Sequence, residues 1–293
     1  MRSFLSAALI ALVAVLVPLS ALAVWADRGI GNTDRFVSLT APLAADEDVR
    51  NAVSRRVTDE IMKQIDLGPL QSGAAQLLDD AVTSYTGTSG FQRVWNTVNR
   101  TAHAALIDAL NNGSGDSVKI DLAPVTAQVK QQLEDQGLPF ASRIPVNRTE
   151  ITVLETDRLG TWREVFHALG IAGIWLPIAT LLLTATALLP AVRRLRALTA
   201  LGLALTVGAV LLGITVAVAR GITLDDLPQA VDRPAAGAVY DALTGPLRTT
   251  MWALLAVGLV LAAAAWLTDH LRDRRSDPPL MRPAEPTEPT DPL

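Results

Sequence analysis

The sequence predicts an α-helical membrane protein, with four transmembrane helices and a mainly helical α+β extracytoplasmic domain containing a small sheet. Three observations predict it. Four apolar stretches, 4–25, 168–189, 199–219 and 250–268, contain no ionisable residue. Each matches the roughly 20 apolar residues that cross a hydrocarbon core about 30 Å thick. Arg2, the loop arginines Arg193, Arg194 and Arg196, and the tail arginines Arg272, Arg274 and Arg275 all fall on one side, while the three arginines of the 220–248 loop on the other side are matched by Asp225, Asp226, Asp232 and Asp241. Between the first two stretches lies a long segment of ordinary globular composition with amphipathic patterning, enough for one domain with its own core.

Residues 1–25 are expected to form the first transmembrane helix, a signal anchor. A cleaved signal peptide is the alternative, but its apolar region is about 7–15 residues. This run is longer and ends in Trp25, a residue type that settles at membrane interfaces.

Residues 26–166 are expected to form the extracytoplasmic domain. Over 46–65, Val49, Val53, Val57, Ile61 and Ile65 recur every fourth residue, the stripe of an amphipathic helix. Asp46, Glu47 and Asp48 stand where a helix N-terminus favours negative charge. A calcium site would need a glycine-turn spacing that the triplet lacks. A second helix is expected over 69–85, with Leu70, Ala74, Leu77, Leu78 and Ala81 inward. A third is expected over 91–110, where Phe91, Trp95, Val98, Ala102 and Ala105 share a face. After the break at 111–116, Val118, Ile120 and Leu122 alternate with polar residues as a half-buried strand. A helix over 124–136 ends at Gly137. Ile151 and Val153 suggest a second strand, and the two strands are expected to pair in a small sheet under the helices. A helix over 157–165 then runs into the next membrane helix.

Residues 167–219 carry transmembrane helices 2 and 3, joined by a short cytoplasmic loop, 190–198, that holds Arg193, Arg194 and Arg196. The loop 220–249 is expected to be extracytoplasmic, helical near 235–243 and interrupted by Gly245-Pro246. Residues 250–268 form the fourth helix. The tail 269–293 is cytoplasmic, and its Pro-, Glu- and Thr-rich part is expected to be disordered. Because basic loops stay cytoplasmic, Arg2, the 190–198 arginines and Arg272, Arg274 and Arg275 place both termini inside and residues 26–166 outside a plasma membrane.

Composition and motifs narrow the chemistry. There is no cysteine, so disulfides, thiolate metal sites and thiol nucleophiles are excluded. The net charge of −4 shows no basic excess of the kind that marks a nucleic-acid partner. The three histidines, His103, His167 and His270, include no pair at metal-helix spacing. His103 is expected on the polar side of its helix. No Gly-x-Ser-x-Gly elbow or phosphate loop is present. The pairs Asp79-Asp80 and Glu134-Asp135 point about 100° apart on a helix and read as solvated faces. No catalytic residue, cofactor or metal ligand is assigned. The membrane stretches carry hydroxyls such as Thr180, Thr184, Thr206 and Thr215 rather than the ionisable groups of ion or proton paths. Gly202, Gly208 and Gly213 allow close helix contact without a Gly-xxx-Gly register.

The stretch Asn32-Thr33-Asp34-Arg35-Phe36-Val37, followed by Ala41-Pro42-Leu43-Ala44, resembles a pattern of uncharacterised actinobacterial integral membrane proteins, as do Val118 to Pro124 and Gln136 to Pro139. Asn32 stands where aspartate is commoner in that family. The resemblance implies four membrane helices and one large extracytoplasmic domain, and supplies no catalytic residue.

Function is therefore expected to be non-enzymatic: a membrane-held domain that binds a cell-envelope partner. The alternatives are a binder of lipid or another apolar ligand, at a site including Phe91 and Trp95, and an envelope hydrolase with an unrecognised site. The bilayer itself is the one partner the composition requires, and the oligomeric state is open.

Overall fold

The computed structural model describes residues 2–63, 68–111, 117–121, 127, 131, 150–155, 159–188, 194–229 and 231–275. Helix α1, Arg2–Val24, continues into a π-helical turn, Trp25–Ile30. The short α2, Thr33–Thr40, leads through a 3-10 turn, Ala41–Ala45, into α3, Glu47–Met62. After a second 3-10 turn, Gly68–Leu70, come α4, Gln71–Thr86, and α5, Ser89–Asn111. Three long helices follow: α6, Leu159–Leu188, α7, Arg194–Asp225, and α8, Arg233–Arg275.

Four helices are long and apolar enough to cross a membrane: α1 with its π-turn, α6, α7 and α8. The chain is thus a multi-pass membrane protein. Helices α7 and α8 form a tight antiparallel hairpin. A Cβ added at Gly258 would lie 2.7 Å from the Gly202 carbonyl oxygen and 2.8 Å from the Thr206 nitrogen, so the two backbones touch. On the facing helix Gly258 and Ala262, four residues apart, meet Gly202 at this contact. Helix α1 packs between this hairpin and α6. Pro18 removes the donor that would bond the Ala14 carbonyl, and Gly208 of α7 approaches that oxygen, where a Cβ would come within 3.0 Å. Val13, Ala209 and Leu212 are fully enclosed between these helices.

The expected α+β domain with a small sheet is contradicted: the described part of the chain is overwhelmingly helical, and no sheet domain is formed. Among the described residues the strands are one antiparallel pair, Ser117–Asp121 with Glu150–Glu155. Two strands alone bury too little to organise a domain. The module between the first two membrane helices is instead built by α2–α5 packing on one another. The expected helix over 124–136 lies outside the described residues.

Three elements differ from their expected form. Helix α8 passes through Gly245-Pro246 without a break. The proline forgoes one bond, and neighbouring side chains cover its surroundings: the Thr244, Thr249 and Thr250 hydroxyls donate to the carbonyls of Tyr240, Gly245 and Pro246. In α3, Ser54 and Thr58 are buried, while Val57 and Ile61 are exposed. Ser54 sits 2.8 Å from both a carboxylate oxygen of Asp79 and the Thr83 hydroxyl, so α3 meets α4 through hydroxyls rather than the valine stripe. Leu70, in the 3-10 turn before α4, and Leu77 of α4 are 73% and 74% exposed, the reverse of their expected inward placement.

Candidate functional site

A cleft of about 680 Å³ lies where α6 stands apart from the α7–α8 hairpin, with α1 as its back wall. Ligand pockets span about 300–1,000 Å³. Val17, Ser20, Ala21 and Val24 come from α1 and Trp25 from the π-helical turn that continues it. Pro177, Thr180, Leu181 and Thr184 come from α6, and Leu201 and Leu205 from α7. Pro246, Leu247, Thr250 and Leu254 line it from α8. From Val17 to Gly29 the α1 wall is about 18 Å long, close to one leaflet's half of a hydrocarbon core about 30 Å thick.

The cleft's hydroxyls are already engaged. Thr180 and Thr184 donate to the carbonyls of Leu176 and Thr180 at 2.7 Å, and Thr250 donates to Pro246 at 2.9 Å. Ser20 and Thr180 are 3.0 Å apart, tying α1 to α6. With these donors used, the walls present methyl and methylene surface. Such a lining suits an alkyl chain and offers nothing to replace an ion's hydration shell.

The end of the cleft nearest the α2–α5 module is different. Arg28, Arg35 and Leu39 border it there. Neither guanidinium has an ion-pair partner among the described residues, whereas Arg55 pairs with Asp232, Arg100 with Asp34, and Arg220 and Arg248 with Asp241. Asp27 faces α6, where Gly170 and Gly173 leave room for it; a Cβ at Gly173 would come within 2.8 Å of the Asp27 Cβ.

The stretch 32–37 forms the joint that holds this rim. The Asn32 side chain caps α2 by accepting from the Arg35 backbone N–H at 3.0 Å. Asp34 takes Arg100 of α5. Val37 is buried, and Phe36 stacks on His103 with ring centroids 4.0 Å apart. His103, expected on a polar face, is only 6% exposed. Its Nε2 lies 2.9 Å from the Ile30 carbonyl oxygen, which can only accept, so Nε2 carries the proton. Nδ1 is then left to accept from the Thr33 hydroxyl at 3.1 Å. Burial pushes the imidazole below the ordinary histidine range, with the bond to Ile30 acting the other way. Arg163 adds a second tie, its Nε donating to the Ala109 carbonyl at 3.0 Å and joining the start of α6 to the end of α5.

Phe91 and Trp95 sit together within the module, ring centroids 6.0 Å apart, and Tyr85 meets Phe91 edge-on. Phe91 is buried, and the Trp95 indole donates to the Thr40 carbonyl at 2.9 Å. They are not among the residues that line the membrane cleft. Trp25 is, and its indole N–H donates to the Leu243 carbonyl at 2.9 Å, fastening α1 to α8. The expected capping by Asp46 is found: its carboxylate accepts from the Val49 N–H at 3.1 Å. Among the described residues no group of three His, Asp or Glu side chains is placed to hold a metal ion. His167 and His270 lie on membrane helices apart from His103, and His270 stacks on Trp266.

No protein-family model, no curated protein and no solved structure matches this chain.

Proposed function

We propose that this chain is a non-enzymatic membrane protein that binds a lipid or similar apolar ligand between its transmembrane helices, with the α2–α5 module seated over the mouth of the site. The cleft between α6 and the α7–α8 hairpin carries this reading: it is leaflet-deep, walled by aliphatic side chains, and its hydroxyls are internally satisfied. The reading moves the ligand away from Phe91 and Trp95, whose rings pack against neighbours in the module.

The proposal includes an orientation. Both termini are cytoplasmic, the protein resides in the plasma membrane, and α2–α5 lie outside. The arginine bias of the 190–198 loop and of the segment after the fourth helix supports this. So does the architecture implied by the actinobacterial family that the sequence resembles. The cleft then opens to the outer leaflet.

Native mass spectrometry of the protein released from lipid nanodiscs tests the binding. The expected result is one lipid retained per chain at collision energies that strip peripheral lipid. Filling the cleft with Ala21→Trp should remove that lipid while the helical circular dichroism stays unchanged. Complete stripping of the unaltered protein would refute the reading.

A second reading rests on a separate observation. Leu70 and Leu77 of the module, with Val57 and Ile61, are exposed, and surface aliphatics grouped on one module can mark a docking face. The α2–α5 module would then present this face to an envelope protein. Crosslinking from position 77 in intact cells distinguishes the two: a single captured protein favours docking, and lipid capture alone opposes it.

A further inference from the structure

The two arginines at the mouth of the cleft have no role in the binding of a purely apolar ligand. An arginine at the end of an apolar membrane-helix groove, next to the last turn of the first span, is placed to meet a lipid phosphate. Three features leave these two guanidiniums available. Arg28 and Arg35 both border the cleft and have no carboxylate partner among the described residues. Asp34, between them in sequence, is taken by Arg100. Asp27, next to Arg28, is packed toward Gly170 and Gly173 of α6.

The positions of the two residues are fixed by separate elements. Arg28 lies on the π-helical turn that ends the first membrane helix, and Arg35 on α2. The Asn32 cap and the His103 bonds to Ile30 and Thr33 set the angle between these elements. Directly below, the groove continues along α1 for about the length of one leaflet. A guanidinium presents a planar fork of donors that matches phosphate oxygens two at a time.

We propose that the cleft selects an anionic phospholipid, with its phosphate held by Arg28 and Arg35 and an acyl chain running down the groove along α1 toward Leu205. The selection rests on the lipid-binding reading above and adds the head-group chemistry. A zwitterionic lipid carries the same phosphate, but its ammonium group would be brought up against two cations. The preference is therefore for a head group of net negative charge, such as phosphatidylglycerol.

Nanodiscs holding equal amounts of phosphatidylglycerol and phosphatidylcholine provide the test, with the retained lipid identified by native mass spectrometry. The unaltered protein should retain the anionic lipid about tenfold over the zwitterionic one. Arg28→Gln with Arg35→Gln should bring the ratio near parity while a lipid is still retained. Arg56→Gln, which removes an arginine paired with Glu60 on α3, should leave the ratio unchanged. Raising the salt should erode the preference in the unaltered protein. Retention of both lipids in equal amounts, or a preference that survives in the double variant, would overturn the head-group assignment and leave the lipid-binding reading standing. Retention of neither lipid would overturn both. The double variant is confirmed as folded by an unchanged circular dichroism spectrum and by the persistence of a bound lipid.

Discussion

His103 engages both ring nitrogens and one ring face at the point where the first membrane helix ends. Its neutral form fits: Nε2 donates to Ile30, and Nδ1 accepts from Thr33. Burial holds its proton affinity below the ordinary histidine value of 6.5. The folded chain therefore takes this proton less readily than the unfolded chain. The junction is at full stability above about pH 6.5 and loses it as the pH falls below that value, until the folded imidazole itself is charged. Amide hydrogen exchange in α2 and α5 should accelerate between pH 7.5 and 5.5, after correction for intrinsic rates, and His103→Gln should abolish the pH-dependent part. His103→Ala should cost about 1–3 kcal/mol at neutral pH by stranding the Ile30 carbonyl, read as faster exchange in the same helices. Little of this was legible from the sequence. A histidine flanked by Ala102 and Ala104 looks solvent-facing until α2 is laid across it, and the partner atoms are 70 and 73 residues away. The Asp46 cap was legible because it is local, bonding a backbone N–H three residues on; the equally local Asn32 cap was not read from the sequence.

At the scale of elements, the four membrane helices follow from length and polarity alone, since an uncharged run of that size has only intrahelical partners for its backbone in lipid. Their contacts do not follow so directly. The closest one, α7 on α8, depends on Gly202 meeting Gly258 and Ala262, which belong to different helices. Gly258→Leu should therefore force the hairpin apart, costing about 1–3 kcal/mol or more from overpacking, and steric-trap or denaturant unfolding in bicelles would measure it. The cost of Gly221→Leu, where nothing lies within 4 Å, should be negligible by comparison. In the module the apolar stripe of α3 gave the right element and the wrong contact. Helix periodicity reports which residues share a face but not which face meets a neighbour, and Ser54 with Asp79 and Thr83 forms the actual seam. Ser54→Ala should weaken α3–α4 by about 1–3 kcal/mol, seen as increased protease sensitivity between residues 63 and 71. The strand alternation around Val118 and Ile151 led to a sheet domain that the described residues do not form, because alternation over five residues is compatible with a lone strand pair.

For the whole molecule, the decisive property is an uneven bundle. Helix α1 is gripped on two sides, α7 and α8 close tightly, and α6 leans on α1 while leaving the hairpin. The resulting groove was invisible in the sequence, because every one of its walls is an ordinary membrane-helix residue. Only Arg28 and Arg35 at its rim are unusual, and they read as ordinary juxtamembrane charge until the cleft places them together. The topology we propose predicts that a cysteine at Leu77 is labelled by an impermeant maleimide in intact cells and that one at Ser276 is not; the cysteine-free sequence makes both readable. The most direct test of the central claim is photolabelling in membranes with a phospholipid carrying a diazirine on its acyl chain. The account predicts saturable labelling of Thr180, Thr184, Leu201 and Leu205, which Ala21→Trp abolishes while labelling of the exposed Trp175 and Trp252 continues. Uniform labelling of all these positions, unaffected by Ala21→Trp, would mean that the groove is merely wetted by bulk lipid, and would contradict it.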